Sequence, residues 1–314
     1  MAPDTGIGSL AVGFSSIKTA KAKQQKQNSK TILRKQATLP ERRKKILQAM
    51  TSAPKFARQT PVAHPQWRLY CLPYAGGSAA VFSGWGERLK PEIEVWMAQP
   101  RGRGMRFRER PFESVAEMVN EYYEALRPTL ESGLTVPFAF YGHSLGGLMA
   151  WELTRRLEAD GLPLPEHLFI GATVPPHMGL IHARISHLPD EGFVEAIQER
   201  YGGIPAQVLA ERELMDIFLP PLKADFAAYE GYRHRAARVS VPLTAFAGTD
   251  DPGLAAPLME EWERHTSGRF ELRIVPGEHF FLTESSEAVL RRIRQALDEG
   301  PKARQVAGGL AGKV

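Results

Sequence analysis

Between residues 67 and 297 the hydrophobic positions switch repeatedly between two periods. Short apolar runs of strand length alternate with stretches in which apolar residues recur at helical spacing. Trp67-Arg68-Leu69-Tyr70-Cys71-Leu72 and Ile93-Glu94-Val95-Trp96-Met97-Ala98 read as the first two strands, with a helix-like segment around Val81 to Leu89 between them. A helix of roughly 114–130 follows. Phe138, Phe140 and Tyr141 then lead into Gly142-His143-Ser144-Leu145-Gly146, after which Leu148, Met149, Leu153 and Leu157 recur at helical spacing. Leu168-Phe169-Ile170-Gly171-Ala172 makes a fourth strand, and Leu243–Gly248 and Phe270–Val275 make the last two. The pattern predicts the α/β class: a mostly parallel central sheet flanked by helices.

The alternation stops between about 175 and 235. There the chain reads as helical pieces, Asp190 to Tyr201, Ala206 to Met215 and Pro220 to Tyr232, with prolines between them. A helical insertion at the carboxyl side of a parallel sheet predicts a lid over a site. His177, His182 and His187 fall in it at spacings of five, which puts them on no common helical face and argues against a metal site.

Composition divides the chain further. Its 314 residues, 43% hydrophobic, suffice for one large catalytic domain with some chain left over. The expected organisation is a basic, mostly disordered N-terminal extension over 1–62, an enzymatic domain over 63–299 with its lid at about 175–235, and a flexible tail over 300–314. The formal net charge of +5 belongs to the extension: residues 1–60 carry thirteen Lys/Arg against Asp4 and Glu41, so the rest of the chain is mildly acidic. The stretch KTAKAKQQKQNSK lacks the large apolar residues needed to offset its ordering entropy. Its shortage of aromatic residues for base stacking argues against nucleic acid as a partner. No apolar run approaches the length of a membrane span. The single cysteine, Cys71, excludes an internal disulfide and points to a reducing, cytoplasmic compartment; lying within a strand, it reads as a buried hydrophobe.

Ser144 is the candidate nucleophile. In a Gly-x-Ser-x-Gly strand-to-helix turn the serine is strained and its hydroxyl held out at the end of the sheet, beside the free N–H groups that open the next helix. The N–H of Leu145 is one candidate oxyanion donor, and Ala75, in the glycine-rich turn after the first strand, is the second. Thr249-Asp250-Asp251-Pro252 and Pro276-Gly277-Glu278-His279 follow the last two strands, where a catalytic acid and base are needed in the order Ser, Asp, His. Asp251 is preferred over Asp250 because it sits deeper in the turn, next to Pro252. The loop from Pro100 to Arg108, with four arginines, reads as a solvated loop at the rim of the site.

Four stretches resemble one family. Leu72-Pro73-Tyr74-Ala75-Gly76-Gly77-Ser78, Gly142-His143-Ser144-Leu145-Gly146-Gly147, Gly248-Thr249-Asp250-Asp251-Pro252 and Gly277-Glu278-His279-Phe280-Phe281 look like a type II thioesterase of the α/β-hydrolase superfamily, associated with nonribosomal peptide and polyketide synthases. Lys223-Ala224-Asp225-Phe226 and Tyr229 add to the likeness. The resemblance implies an α/β-hydrolase fold with a helical lid. It implies Ser144, Asp251 and His279 as triad, and Ala75 and Leu145 as oxyanion donors. It further implies hydrolysis of acyl thioesters from the phosphopantetheine arm of acyl or peptidyl carrier protein domains, in editing or product release. No cofactor is expected, the phosphopantetheine arm being part of the substrate. A carboxylesterase or lipase, a product-releasing cyclase and a non-catalytic carrier-binding scaffold stay open as alternatives.

Overall fold

The computed structural model describes residues 53–133 and 135–299; the expectations for 1–52 and 300–314 lie outside the described residues. Seven strands form one sheet: β1 (Phe56–Ala57), β2 (Trp67–Leu72), β3 (Ile93–Ala98), β4 (Phe138–His143), β5 (His167–Gly171), β6 (Leu243–Gly248) and β7 (Phe270–Val275). They stand in the order β1-β3-β2-β4-β5-β6-β7, and every neighbouring pair is parallel except β1 with β3. Helices α1 (Trp85–Leu89), α2 (Val115–Glu131), α3 (Leu145–Ala159) and α9 (Ser286–Glu299) flank it. Burial on both faces explains the unbroken apolar runs that marked these strands, most clearly β4, in which every residue is buried.

The sheet begins before residue 63. Phe56 and Ala57 pair antiparallel with Ala98 and Met97, and the Phe56 ring packs 5.1 Å from Tyr70 and 5.2 Å from Tyr122. Arg58 then pairs at 3.0 Å with Glu94, which is buried. Composition alone could not reveal this, because a two-residue edge strand carries no periodicity.

Between β5 and β6 lie α4 (Asp190–Tyr201), α5 (Ala206–Ala210) and α6 (Arg212–Gly231), where the lid is expected. The last of these differs from the sequence reading. It runs unbroken through Pro220 and Pro221, although two prolines remove two intrahelical hydrogen bonds. Leu219 and Leu222, on either side of that pair, join Ile185, Phe193, Ile197 and Ile204 in an apolar cluster separate from the main core, and their burial holds the helix in line. Between β6 and β7 lies α7 (Ala256–Glu260), and after β7 a short α8 (Phe281–Glu284). Among the described residues no helix is long and apolar enough to cross a membrane.

The chain reverses its direction of strand addition at β2, placing β3 on one side and β4 on the other. In parallel sheets such a switch point opens a crevice at the carboxyl ends of the strands. Ala75 follows β2 and Ser144 follows β4, so the crevice separates them.

Candidate active site

After β2 the chain makes a tight turn, Tyr74-Ala75-Gly76-Gly77, closed by a 2.9 Å hydrogen bond from Gly77 N–H to the Tyr74 carbonyl. Gly76 has φ +79°, the value a type II turn requires at its third residue. The Tyr74 to Ala75 peptide is trans, so the Ala75 N–H points away from the carbonyl that Gly77 holds.

Ser144 sits at φ 53° and ψ −120°, a strained conformation for a residue with a side chain. Its N–H donates to the Gly171 carbonyl at 2.8 Å, and its own carbonyl accepts from Gly147 N–H at 2.8 Å. Two glycines make the turn possible. A Cβ on Gly142 would lie 2.1 Å from the Gly146 carbonyl oxygen, and one on Gly146 would lie 2.2 Å from that of Leu72. Leu145 opens α3, where N–H groups have no intrahelical partner.

The loops after β6 and β7 are pressed together. A Cβ on Gly248 would fall 2.5 Å from the Gly277 carbonyl oxygen, and Asp250 N–H donates to that same carbonyl at 3.0 Å. This brings His279 Nδ1 to 2.9 Å from Asp251 Oδ2. The carboxylate accepts, so Nδ1 carries the proton and Nε2 is left with a free lone pair. Asp251 Oδ1 accepts from Gly253 N–H at 3.0 Å. Asp250 is exposed, and its carboxylate accepts from the Thr249 hydroxyl at 2.7 Å. Of the two aspartates, Asp251 is the one whose carboxylate contacts His279.

Ala75, Ser144, Leu145 and His279 line one cavity of about 230 Å³. Its far wall comes from the lid, with Ile197, Ile204, Phe218, Leu222 and Phe226. Tyr201 of the lid packs its ring 4.9 Å from His279. Burial raises the Tyr201 hydroxyl to about 12, so it stays protonated at neutral pH.

Several residues at the site were given no role by the sequence reading. His143 is fully buried; Tyr141 hydroxyl lies 3.1 Å from its Nδ1, and its Nε2 lies 2.7 Å from the His279 carbonyl oxygen. Ala172, also lining the cavity, is a second non-glycine residue at positive φ, 50°. The arginine loop is not solvated throughout. Arg106 is buried and bonded to Glu121 and Glu109 at 2.7 and 2.6 Å, while buried Arg103 pairs with Asp225 of α6. Only neighbours such as Arg108 are exposed. Asp225 belongs to one of the stretches that resembled the family, which is the one cue sequence gave.

Cys71 has no accessible surface, and burial pushes its thiol well up. His177 stacks on His265 at 4.9 Å, His182 lines the cavity and His187 is exposed, so the three do not converge.

Comparison with known proteins shows the family. A family model described as "Thioesterase domain" matches residues 67–297. The gramicidin S biosynthesis protein GrsT of Aneurinibacillus migulanus is 36% identical over 69% of this chain and 84% of its own length. Thioesterase PikA5 of Streptomyces venezuelae is 38% identical over 76% of this chain and 83% of its own. The structure of the type II thioesterase BorB from the borrelidin biosynthetic cluster superposes with a TM-score of 0.69 at 32% identity, covering 79% of this chain and 100% of that one. The chain belongs to the thioesterase domain family, with the α/β-hydrolase fold and the type II thioesterases of peptide and polyketide pathways among its relatives.

Proposed function

We propose that this thioesterase hydrolyses acyl groups from the phosphopantetheine arm of acyl or peptidyl carrier proteins in polyketide or nonribosomal peptide biosynthesis, with Ser144 as nucleophile, His279 as base and Asp251 as its orienting acid. The observation that carries the reading is the 2.9 Å contact between His279 Nδ1 and buried Asp251, on a histidine that shares its cavity with strained Ser144. The oxygen of Ser144 attacks the thioester carbonyl carbon as its proton passes to His279 Nε2. Asp251 stabilises the imidazolium, and the N–H groups of Ala75 and Leu145 stabilise the oxyanion. The C–S bond breaks and the departing sulfur takes the proton back from His279. The carrier leaves with its thiol restored; water then repeats the sequence on the acyl-serine ester, breaking the acyl–oxygen bond to release the free acid and return the proton to Ser144. Each proton is moved by groups already named, and the pantetheine arm enters as substrate.

A fluorophosphonate probe with peptide mapping tests the assignment. It should label Ser144 alone among serines and abolish thioester hydrolysis. Asp251→Asn should lower kcat about a thousandfold or more, and Asp250→Asn should leave it within about twofold. Labelling at another residue, or equal losses from the two aspartates, would overturn it.

A further inference from the structure

Asp225 is 3% exposed on the lid helix α6, and no hydrolytic step uses it. Its two oxygens receive three donors. Arg103 Nη1 lies 2.6 Å from Oδ2, Arg103 Nη2 lies 2.9 Å from Oδ1, and Gly76 N–H donates to Oδ2 at 2.8 Å. Arg103 Nη1 also donates to the Gly77 carbonyl at 3.2 Å, and the Arg103 carbonyl accepts from Gln99 Nε2 at 3.0 Å. The turn that carries Ala75 is thus gripped from outside at two successive residues, through the N–H of Gly76 and the carbonyl of Gly77.

The Gly76 N–H belongs to the central peptide of the turn, and the orientation of that peptide is what distinguishes a type II turn from a type I. Asp225 fixes it. Desolvation makes so deep an ion pair a poor source of stability, and this one joins three segments remote in sequence at the turn. Its plainest effect is on geometry. The same helix presents Leu222 and Phe226 to the cavity, and Leu222 Cδ1 lies 2.7 Å from where a Cβ on Gly76 would be. Wall and grip therefore move together.

We propose that Asp225 and Arg103 are positioning residues that hold the Tyr74–Gly77 turn so that the Ala75 N–H meets the developing oxyanion, and that they tie this donor to the seating of the lid. The proposal rests on the reading of Ala75 as an oxyanion donor. A lid helix that lifts takes the acceptor of Gly76 with it, so stabilisation of the tetrahedral state requires a seated lid.

Asp225→Asn tests it, because an amide places an NH₂ opposite at least one of the three donors. With an acyl N-acetylcysteamine thioester, kcat should fall about tenfold to a hundredfold, with KM within about threefold. Affinity for an alkyl boronic acid, whose serine adduct is tetrahedral, should fall by the same factor. Affinity for the thioether analogue, which has no carbonyl, should be unchanged, a split that general structural damage would not produce. In Asp225→Asn/Arg103→Gln the two amides can pair and return an acceptor to Gly76, so kcat and boronate affinity should recover severalfold. If the single variant does not fold, Arg103→Lys carries the test, because it keeps the charge but cannot hold both Asp225 oxygens and the Gly77 carbonyl at once: a boronate-to-thioether affinity ratio below the wild type supports the proposal, and an equal ratio overturns it. Wild-type kcat in Asp225→Asn, or parallel loss of boronate and thioether binding, would likewise overturn it. Ser144→Ala, measured alongside, keeps the two readings apart: turnover by the wild type that this variant lacks leaves the thioesterase assignment standing whatever Asp225 does.

Discussion

The imidazole Nε2 of His143 lies 2.7 Å from the backbone carbonyl oxygen of His279, so the residue before the candidate nucleophile holds the loop that carries the candidate base. A carbonyl only accepts, which puts the proton on Nε2 and makes Nδ1 the acceptor for the Tyr141 hydroxyl at 3.1 Å. Burial, with His279 nearby, holds His143 well below the usual histidine range, so it stays neutral. His143→Phe keeps a ring but loses the donor. Steady-state kinetics should show kcat down about tenfold or more, since small misplacements of a base are costly. Denaturant unfolding should show a loss of about 1–3 kcal/mol from the unsatisfied partners. Unchanged kcat would remove the positioning role.

Two glycine substitutions separate lack of space from backbone strain. Gly146→Ala forces a Cβ to within 2.2 Å of the Leu72 carbonyl oxygen, and should cost about 3 kcal/mol or more, with loss of hydrolysis. Gly161 has φ +67° but nothing within 4 Å of its Cβ position, so Gly161→Ala should cost only about 1 kcal/mol and leave kcat intact. Urea unfolding of both variants checks the contrast.

The sequence announced the parts of the site that local pattern can encode. Ser144 between Gly142 and Gly146, Asp251 after β6 and His279 after β7 each follow a strand at a turn, and they were legible as candidates only together, in the order Ser, Asp, His. What joins them was not. Arg103 and Asp225 are 122 residues apart, and His143 and the His279 carbonyl 136, so no periodicity connects them. The arginine loop looked solvated because glycine and arginine usually are; its burial depends on Glu121 and Asp225, which arrive from α2 and α6. Pro220 and Pro221 looked like a break for the same reason, since the lid cluster that keeps α6 continuous draws on Phe193 and Ile204.

Cys71 should prove chemically inert. It is fully buried in β2, with its thiol pushed well up by burial, so little thiolate is available to alkylating agents. Iodoacetamide should leave both the thiol and thioester hydrolysis unaffected in the native protein, as intact mass and activity would report. Cys71→Ala should keep kcat within about twofold and lower stability by about 1 kcal/mol.

Stability should fall on mild acidification. Burial, helped by nearby Arg292, lowers His167 to about 4, and burial with neighbouring His177 and His234 lowers His265 to about 4. In the unfolded chain histidine titrates near about 6.5. Between those values the unfolded state binds more protons than the native one, so stability rises with pH: it is complete above about 6.5 and lost as pH falls towards 4. For His167 alone the loss is on the order of 3 kcal/mol. His167 Nε2 lies 2.8 Å from the Thr244 hydroxyl and its ring stacks on Phe169 at 4.2 Å, so His167→Gln keeps a polar partner while removing the titration. Urea midpoints at about pH 8 and about pH 5 should differ less in that variant than in the wild type.

The most direct test of the whole account is intact-mass spectrometry of carrier proteins loaded with acetyl, longer acyl and aminoacyl groups, incubated with the wild type and with Ser144→Ala. Loss of the acyl mass to leave the phosphopantetheinylated carrier, with the wild type and not with the variant, is the predicted result, and the order of loss would rank the acyl preferences. Carriers that stay loaded with the wild type, while a simple oxygen ester is cleaved, would contradict it.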